Sequence, residues 1–361
     1  MRVIITAGGT GGHIFPALAL INKIKEYSNN EILYIGTHNR MEKEIIPNFK
    51  IPYKELEVIS LKRKISFINI KAFKLFLNAI KKSKKIIKEF KPDVVVGFGG
   101  YVSAPVLYAA KSLNIPTFIH EQNSIPGLSN KFLGKFATKI GVSFPSSQKY
   151  FKNDKVIITG NPRSEEALKT KGIKKEKLGL KSDKKLVLIS LGSLGSASIN
   201  KELLKGMKSF NNKNYEVIYI TGKNYYDDII KNNTFPSNVK VFPFLDNMLD
   251  VMKISDLFIS RAGASAISEI IALKLPTIFI PSPYVTNNHQ YKNALELVNQ
   301  NASLIIEEKN FNSKILIDKI DLLFNNPIKL EALKKGFNNI TFKENSLSLI
   351  YDILINIKRG N

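Results

Sequence analysis

The feature that most restricts what this chain can fold into is an alternation of short, continuously apolar runs with longer segments of helical character. In the first half these runs are VIIT, EILYIG, DVVVGFGG, TFIHE, KIGVSF and KVIITG, and in the second half KLVLISLGS, YEVIYITG, VKVFPFL, DLFISRAG and TIFIPSP. Runs rich in Val and Ile are typical of strands that are buried on both faces. Because helical segments separate them, the sequence predicts the α/β class, with parallel sheets covered by helices on both sides.

A charged stretch at residues 160–185 interrupts this alternation, and 361 residues suffice for two separate cores. Each half opens alike, with a strand, a glycine-containing turn and a helix, in VIITAGGTGGH and in LVLISLGSLGSASIN. We therefore predict two Rossmann-like domains, 1–162 and 163–341, that face each other across a cleft and bind ligands at the carboxyl ends of their strands. The last segment, 342–361, carries Leu347, Ile350, Tyr351 and Leu354 on one helical face. It is predicted to be a closing helix that packs back on the first domain.

The first turn, in ITAGGTGGHIFPALAL, places Gly8, Gly9, Gly11 and Gly12 between a strand and a helix. Glycines at such a junction allow main-chain N–H groups to approach an anion, most often a phosphate. The turn ends in Gly-His, which excludes a Walker loop. A dinucleotide fingerprint is weakly supported, because Ile14 occupies the position of the third glycine and no acidic residue ends the second strand.

Composition excludes several kinds of site. The chain has no cysteine, and its four histidines, at positions 13, 38, 120 and 289, do not have the spacing of metal ligands. No Asp-x-Asp pair is present to hold a diphosphate through Mg²⁺, so we expect neither a metal nor a cofactor. No long apolar run and no signal sequence occur, so we expect a cytoplasmic chain without a spanning helix.

The formal net charge of +24 predicts an acidic partner, either nucleic acid or an anionic membrane. Residues 61–91 contain eleven Lys or Arg residues and a single acidic one. Apolar residues recur through this segment at helical spacing, namely Phe73, Phe76, Leu77, Ile80 and Ile87. This stripe either packs on its own domain or, with the basic turn SLKRKISF before it, adsorbs on anionic lipid. A general richness in Lys, Asn and Ile is a third explanation for the charge.

Five glycine- or serine-containing stretches lie at predicted strand ends, where a doubly wound fold places its site. They are GGTGGH, GFGGYVSAP, HEQNSIPGLSNK, LGSLGSASIN and SRAGASAISE. In the last, Gly263 would precede a helix whose first amides are unpaired, with Glu269 about one turn inside. Such a carboxylate can hold a vicinal diol such as ribose, or it simply faces solvent. Ser193 and the amides near Gly195 are suited to phosphate oxygens.

Six motifs together resemble a known family. GGTGGHIFPALAL, GFGGYVSAP, HEQNSIPG, TGNPR, SRAGASAISE and NNHQYKNA occur in the order and spacing of the MurG family of bacterial N-acetylglucosaminyltransferases, over nearly the whole chain. The resemblance implies the GT-B fold and inverting transfer of N-acetylglucosamine (GlcNAc) from UDP-GlcNAc to the C4 hydroxyl of the muramyl sugar of lipid I, which yields lipid II and UDP. It also implies a peripheral enzyme of peptidoglycan synthesis, on the anionic cytoplasmic face of the inner membrane. The acceptor would bind the first domain and UDP-GlcNAc mainly the second.

The resemblance also implies individual contacts. Those to the donor are Thr10, Gly11, Gly12, Asn123, Arg163, Ser193, Leu245, Ala264, Ser265, Ala266, Ile267, Ser268, Glu269 and Gln290. The acceptor diphosphate would lie on the turns around Gly9 to Gly12 and around Gly99, Gly100 and Tyr101. Further site positions are Asn130, Asn200, Arg261 and His289, of which Arg261 would neutralise charge on the departing UDP. The chain departs from the family at Leu194, often glutamine there, at Ala266, often threonine, and at His289, where glutamine is also found.

Inversion requires a general base for the acceptor hydroxyl. His13, at the start of the first helix, is the favoured candidate, although it could instead bind the diphosphate. Glu121 is the second candidate and His120 the third. Both could instead orient the HEQN loop.

Two other functions fit parts of the sequence. One is a GT-B transferase of the same donor type acting on a different lipid such as diacylglycerol, against which HEQN and GFGGYVS argue. The other is a basic nucleic-acid-binding module, which predicts aromatic residues interleaved with the basic ones, whereas residues 61–91 are mainly aliphatic. We therefore expect no nucleic-acid partner.

Overall fold

The computed structural model describes residues 1–60, 67–192 and 195–358, without the side chains of residues 67 and 153. The chain divides into two compact units, Met1–Glu165 with Lys343–Asn361, and Glu166–Phe342. The division lies three residues after the predicted one because the first turn of the helix at Pro162 is bonded within the first unit. The Ser164 hydroxyl donates to the Asn161 carbonyl, and the Glu165 carboxylate accepts the Leu347 N–H at 3.0 Å.

The elements follow one another in nearly regular alternation. Those up to residue 169 are β1 (Arg2–Ala7), α1 (Gly11–Lys25), β2 (Glu31–Thr37), α2 (Met41–Ile45), β3 (Tyr53–Leu56), α3 (Phe67–Phe90), β4 (Val94–Gly99), α4 (Ser103–Ser112), β5 (Thr117–Glu121), α5 (Leu128–Leu133), β6 (Lys139–Val142), β7 (Val156–Ile158) and α6 (Pro162–Lys169). The remainder are β8 (Lys185–Ser190), α7 (Ala197–Lys205), β9 (Tyr215–Ile220), α8 (Lys223–Asn232), β10 (Val239–Phe242), α9 (Met248–Ile254), β11 (Leu257–Ser260), α10 (Ala264–Leu273), β12 (Thr277–Phe279), α11 (His289–Val298), β13 (Ser303–Ile305), α12 (Ser313–Phe324), α13 (Pro327–Gly336) and α14 (Ser346–Ile357). Short 3₁₀ helices occupy Ile46–Phe49, Pro145–Tyr150, Asn153–Lys155, Lys175–Leu178, Met207–Phe210, Thr286–Asn288, Glu308–Asn310 and Phe337–Asn339.

Each unit contains one parallel sheet with the Rossmann strand order. The first sheet runs β3-β2-β1-β4-β5-β6-β7 and the second β10-β9-β8-β11-β12-β13. The order reverses between β1 and β4 and between β8 and β11, and ligands of such sheets bind outside the carboxyl ends of the strands at this switch point. The predicted α/β class with two Rossmann-like parallel-sheet domains is confirmed.

The first sheet is covered on both faces, as its uninterrupted apolar strands require. Val3 and Ile5 of β1 face a core that includes α1 and α14, while Ile4 between them faces the core formed with α3 and α4. In α14, Leu347, Ile350, Ile353 and Leu354 are buried. Each such side chain contributes about 1.5–3 kcal/mol when buried, so α14 is an integral part of the first unit's core.

Helix α3 packs differently from the predicted stripe. Its buried positions include Ala72, Ala79, Ile80, Ser83 and Ile87, and the small residues among them permit close contact with α4. Two residues of the predicted stripe, at positions 73 and 77, are instead exposed. The prediction that the stripe packs on its own domain therefore holds only for the C-terminal part of the helix.

Neither α3 nor any other helix in the described ranges combines the length and apolar character needed to cross a membrane. The basic turn at Lys62, Arg63 and Lys64 lies outside the described residues.

Candidate active site

The predicted motifs collect at the carboxyl ends of the strands that flank the two switch points. In the first unit these are the turns after β1 and β4, and in the second those after β8 and β11. The HEQN loop follows β5, next to β4. Because parallel strands end at the same edge of a sheet, each unit presents one such edge with several glycine turns.

The four glycines of the first turn have different uses. A side chain at Gly8 would meet Glu42 Oε1, and one at Gly11 would meet the Phe15 ring at 2.8 Å. Gly9 has a φ of +90°, which only glycine adopts readily, and nothing lies within 4 Å of a side chain added there. Gly12 is close only to Thr10. Two of the glycines therefore make room for neighbouring side chains, and the other two are open.

The amides of this turn are divided in the same way. The Gly9 N–H donates to Glu42 Oε2 at 3.1 Å, so this amide is already engaged within the protein. The amides of Thr10, Gly11 and Gly12, at the start of α1, have no partner within the described part of the chain. They coincide with the positive end of the helix dipole, an arrangement suited to an anion.

His13 lies against both glycine turns. Its Nδ1 is 3.1 Å from the Gly8 carbonyl oxygen, which can only accept, so Nδ1 carries the proton. In the neutral ring the lone pair is then on Nε2. A side chain at Gly99 would approach Nε2 within 3.0 Å, so that glycine is required by the position of the imidazole.

The second turn, after β4, is built against the first. Gly99 and Gly100 have φ values of +108° and +85°, and a side chain at Gly100 would clash with the carbonyl oxygen of Gly8 in the first turn. The Ser103 hydroxyl donates to the Gly99 carbonyl at 2.7 Å. Tyr101, at the tip of the turn, is exposed.

Glu121 is enclosed by its own loop. Its carboxylate accepts the backbone N–H groups of Asn123 and Gly127 and the side-chain amides of Asn123 and Asn130, all at 2.9–3.2 Å. Burial raises the pKa of Glu121, and these four hydrogen bonds oppose the increase. The geometry favours the alternative in which this residue and Asn130 orient the HEQN loop rather than touch a ligand.

His120 has a similar supporting position. Its Nε2 donates to the Gly160 carbonyl at 2.8 Å, and its ring lies 5.4 Å from that of Phe98. Complete burial lowers its pKa to about 4, which keeps the ring neutral at physiological pH. Because the ring faces the TGNPR segment, it ties β5 to the chain before α6. In that segment, Arg163 lies over the Phe15 ring at 5.8 Å.

In the second unit, the turn after β8 includes Ser193 and Leu194, which lie outside the described residues. Gly195, with a φ of +71°, packs against the Thr221 carbonyl, which also accepts from Asn200 at 3.1 Å. Asn200 is buried and fastens α7 to the end of β9. Its place in the site stays a prediction, since this bond uses Nδ2 and Oδ1 has no hydrogen-bond partner within the described residues.

The Arg261 guanidinium is held in a partly buried hydrogen-bond network. Its Nη1 donates to the Ile280 carbonyl and, at 2.6 Å, to Glu308, while Nη2 donates to the Ser196 hydroxyl at 2.8 Å. The other oxygen of Glu308 accepts from Ser198 at 2.6 Å. Arg261 therefore holds the start of α7, and this geometry does not favour the predicted direct contact with a leaving group.

Helix α10 begins after Gly263, as predicted for SRAGASAISE. The amides of Ala264, Ser265 and Ala266 have no partner in the described ranges, so this is a second helix start suited to an anion. Ile267 is fully buried, so its side chain belongs to the core. The Ser268 hydroxyl donates to the Ser265 carbonyl, and Glu269 is largely buried one turn into the helix.

The segment after β12 positions Gln290. Its Oε1 accepts the Ser282 N–H at 2.8 Å, which leaves the Nε2 group to donate. The preceding Asn287 and Asn288 are both left-handed, a conformation that asparagine tolerates better than most residues. His289 Nδ1 donates to the Thr286 carbonyl, and burial lowers the pKa of its ring. Leu245, the remaining predicted donor contact, is buried in the turn after β10.

Sequence reasoning missed two residues of these networks, Glu42 and Glu308. Each is a carboxylate that lies in a charged, polar segment far along the chain from the turn that it holds. No local pattern distinguishes either from a solvated glutamate, and only the tertiary contacts reveal them.

Comparisons with known proteins agree with this geometry. Residues 3–142 match the glycosyltransferase family 28 N-terminal domain, and residues 186–349 match the glycosyltransferase family 28 C-terminal domain. A UDP-N-acetylglucosamine--N-acetylmuramyl-(pentapeptide) pyrophosphoryl-undecaprenol N-acetylglucosamine transferase from Bacillus cytotoxicus is 46% identical over 92% of this chain and 93% of its own. A Bacillus cereus protein of the same name is 45% identical over 98% of both chains.

Solved structures give the same result. The crystal structure of Acinetobacter baumannii MurG has a TM-score of 0.79 and 26% identity, and the match covers 98% of this chain and 99% of that one. A Neisseria meningitidis UDP-GlcNAc 2-epimerase has a TM-score of 0.67 at 16% identity over 99% of this chain and 100% of its own, a likeness of fold alone. The predicted resemblance is thereby confirmed, and the chain belongs to glycosyltransferase family 28 and, within it, to the MurG family of N-acetylglucosaminyltransferases.

Proposed function

We propose that this chain transfers GlcNAc from UDP-GlcNAc to the C4 hydroxyl of the muramyl sugar of lipid I, and so forms lipid II and UDP in peptidoglycan synthesis. The observation that carries the proposal is the 46% identity with a transferase named for this reaction, which extends over 92% of the chain. The two helix starts with unpaired amides, at α1 and α10, suit a reaction in which both substrates carry a diphosphate.

On the acceptor side, the amides of Thr10 to Gly12 bind the diphosphate of lipid I, and His13 is the general base. The neutral ring keeps its proton on Nδ1, against the Gly8 carbonyl, and its Nε2 takes the proton of the attacking hydroxyl. Glu121 is a poor alternative, because loop donors already surround its carboxylate.

On the donor side, the start of α10 binds UDP, and Glu269 accepts from the ribose hydroxyls. Gln290 donates from Nε2 to the sugar, since its oxygen is held by Ser282. Amides at a helix start stabilise the negative charge of departing UDP without a divalent metal. Arg261 supports this indirectly, through Ser196 at the start of α7.

We further propose that the exposed part of α3 docks on the anionic cytoplasmic surface of the inner membrane. Ile70, Phe73 and Leu77 are 68%, 61% and 44% exposed, and Lys71 and Lys74 lie among them. Apolar side chains that enter the interface beside lysines that meet lipid phosphates are typical of peripheral docking.

Vesicle binding tests this docking. Replacing Ile70 and Phe73 by Ser is expected to weaken binding to phosphatidylglycerol vesicles at least about tenfold, because two large apolar contacts are lost. Turnover of a water-soluble, short-chain lipid I analogue should stay within about twofold. Ile328→Ser, at an 81% exposed position of the second unit, is the matched control. Equal loss in the control, or no loss in the α3 variant, would contradict the docking.

The reaction itself is tested by incubating the protein with UDP-GlcNAc and a lipid I analogue in EDTA. We expect release of UDP together with the disaccharide product. His13→Ala should lower kcat about 10²- to 10⁴-fold, the range for loss of a general base, with acceptor binding measured separately by titration. Unchanged kcat with weaker acceptor binding would make His13 a diphosphate ligand. Turnover of diacylglycerol in competition with the lipid I analogue would refute the proposed acceptor.

A further inference from the structure

Glu42, on the short helix α2, is a carboxylate without solvent exposure that holds two strand ends together. One oxygen accepts the N–H of Thr37 at 3.0 Å and its hydroxyl at 2.6 Å, and the other accepts the Gly9 N–H at 3.1 Å. None of the ion pairs within the described ranges includes it. A buried carboxylate is costly unless hydrogen bonds compensate, so these three donors determine where it lies.

The neighbouring sequence is adapted to this carboxylate. A side chain at Gly8 would lie 2.5 Å from Glu42 Oε1, and one at Gly36 would lie 2.8 Å from Glu42 Cγ. The Tyr53 hydroxyl donates to the Thr37 carbonyl at 2.6 Å and braces the same strand end. Gly8, Gly36 and Tyr53 therefore help to confine the Glu42 carboxylate to the space directly behind the first glycine turn.

One peptide group connects Glu42 with His13. The Gly8–Gly9 peptide donates its N–H to Glu42 Oε2, and its carbonyl oxygen accepts from His13 Nδ1 at 3.1 Å. A carboxylate on the N–H side polarises the peptide and increases the negative charge on its carbonyl oxygen. That oxygen then holds the Nδ1 proton more firmly and leaves the lone pair on Nε2.

We propose that Glu42 is a positioning residue for the reaction, acting on His13 through the Gly8–Gly9 peptide. It fixes the orientation of that peptide, and thereby the tautomer and ring position of His13. The inference rests on the proposed function, in which His13 is the general base. Glu42 itself touches neither substrate.

The tautomer is measured first, on the full-length ¹⁵N-labelled protein by long-range ¹H–¹⁵N correlation. Only four histidines are present, and the His13→Ala variant assigns the signal. We expect the neutral His13 ring of the unaltered protein to carry its proton on Nδ1, and the Gly9 amide to be protected from hydrogen exchange although the turn is exposed. A proton on Nε2 would overturn the proposal, whether or not any Glu42 variant folds.

Kinetics provide the second measurement. Glu42→Gln preserves the volume but removes the charge, so the His13 ring should become a mixture of tautomers and kcat should fall about 10- to 100-fold. This loss is smaller than that caused by neutralising a carboxylate bonded directly to a catalytic histidine. The KM for UDP-GlcNAc should stay within about twofold. An unchanged tautomer, or equal changes in kcat and in this KM, would overturn the proposal.

Two variants separate positioning from general stability. Thr37→Val removes a hydrogen bond to the same carboxylate but keeps the Gly9 bond, so kcat should stay within about threefold. Glu216→Gln neutralises a buried glutamate of β9 in the second unit and should leave the His13 signal unchanged. An inactive unaltered protein with the expected tautomer would refute the proposed function. An active one with the other tautomer would refute the role of Glu42, together with Nε2 of His13 as the base, but not the transfer reaction itself.

Discussion

Replacing Glu308 by glutamine tests whether the Arg261 network holds the donor-binding turn. The carboxylate of Glu308 receives two hydrogen bonds of 2.6 Å, from Arg261 and from Ser198, and the two charged side chains are only 9% and 11% exposed. Removing one partner of a buried ion pair costs about 3–5 kcal/mol, because the other charge is left without compensation. Glutamine keeps one acceptor oxygen, so we expect the lower end, about 3 kcal/mol.

For a unit of this size, 1 kcal/mol lowers Tm by about 2–4 °C, so the calorimetric transition of the second unit should fall by about 6–12 °C. The start of α7 loses its anchor at the same time. We expect the KM for UDP-GlcNAc to rise about tenfold, which corresponds to about 1.4 kcal/mol of binding free energy.

A double variant separates the two effects. Arg261→Met combined with Glu308→Leu leaves no buried charge, and such replacements are often neutral for stability. The double variant should therefore recover most of the Tm but not the KM. Glu202→Gln, which breaks the exposed pair with Lys205, is the matched control and should cost less than about 0.5 kcal/mol. A Glu308→Gln variant with unchanged KM, or a double variant that recovers it, would refute the positioning role.

Three further outcomes follow from the geometry. Burial lowers the pKa of His120 to about 4, so between about pH 6.5 and 4 the unfolded chain binds more protons than the folded one. As the pH falls through that window, the free energy of unfolding of the first unit should decrease by about 3 kcal/mol. Denaturant titrations at several pH values check this, and His120→Gln, which still donates to Gly160, should flatten the profile. Glu121→Gln places an N–H₂ group among N–H donors, which disturbs the HEQN loop, so kcat/KM should fall about tenfold. The acid limb of the pH–rate profile should not move, and a displaced limb would identify Glu121 as the base. Gln290→Glu keeps the acceptor for Ser282 but loses the donor, so the KM for UDP-GlcNAc should rise about tenfold.

The strands that the sequence did not reveal are edge strands. β3 and β13 end their sheets, and they are short. In β3, Lys54 and Glu55 are exposed, so its run YKEL lacks the continuous apolar character of a central strand. The prediction for helix α3 failed in part for a related reason, since its buried face includes Ala72, Ala79 and Ser83, which hydropathy does not mark as core residues.

In the predicted site, the positions of the turns could be predicted from the sequence, but the roles of single residues could not. The sequence located the five predicted stretches at strand ends correctly, because the end of a continuous apolar run marks where a buried strand stops. It could not assign the individual glycines. Gly8 accommodates Glu42, which arrives through tertiary packing, and Gly11 accommodates the ring of Phe15, one turn further along α1. For the same reason the sequence could not show that the Gly9 amide donates to Glu42 rather than to a ligand.

Three carboxylates, the buried Glu42 and Glu121 and the largely buried Glu308, each contact a turn or loop of the predicted site. A carboxylate can only accept, so it fixes the N–H and O–H groups on one side of a turn without competing for the amides on the other. A lysine in its place would donate, and could not hold those groups. The chain has an excess of basic residues and its proposed substrates carry diphosphates, yet acids with little exposure shape the surfaces proposed to receive them. The anion is then met by main-chain amides whose directions are already fixed, and little reorganisation is needed when negative charge develops on departing UDP.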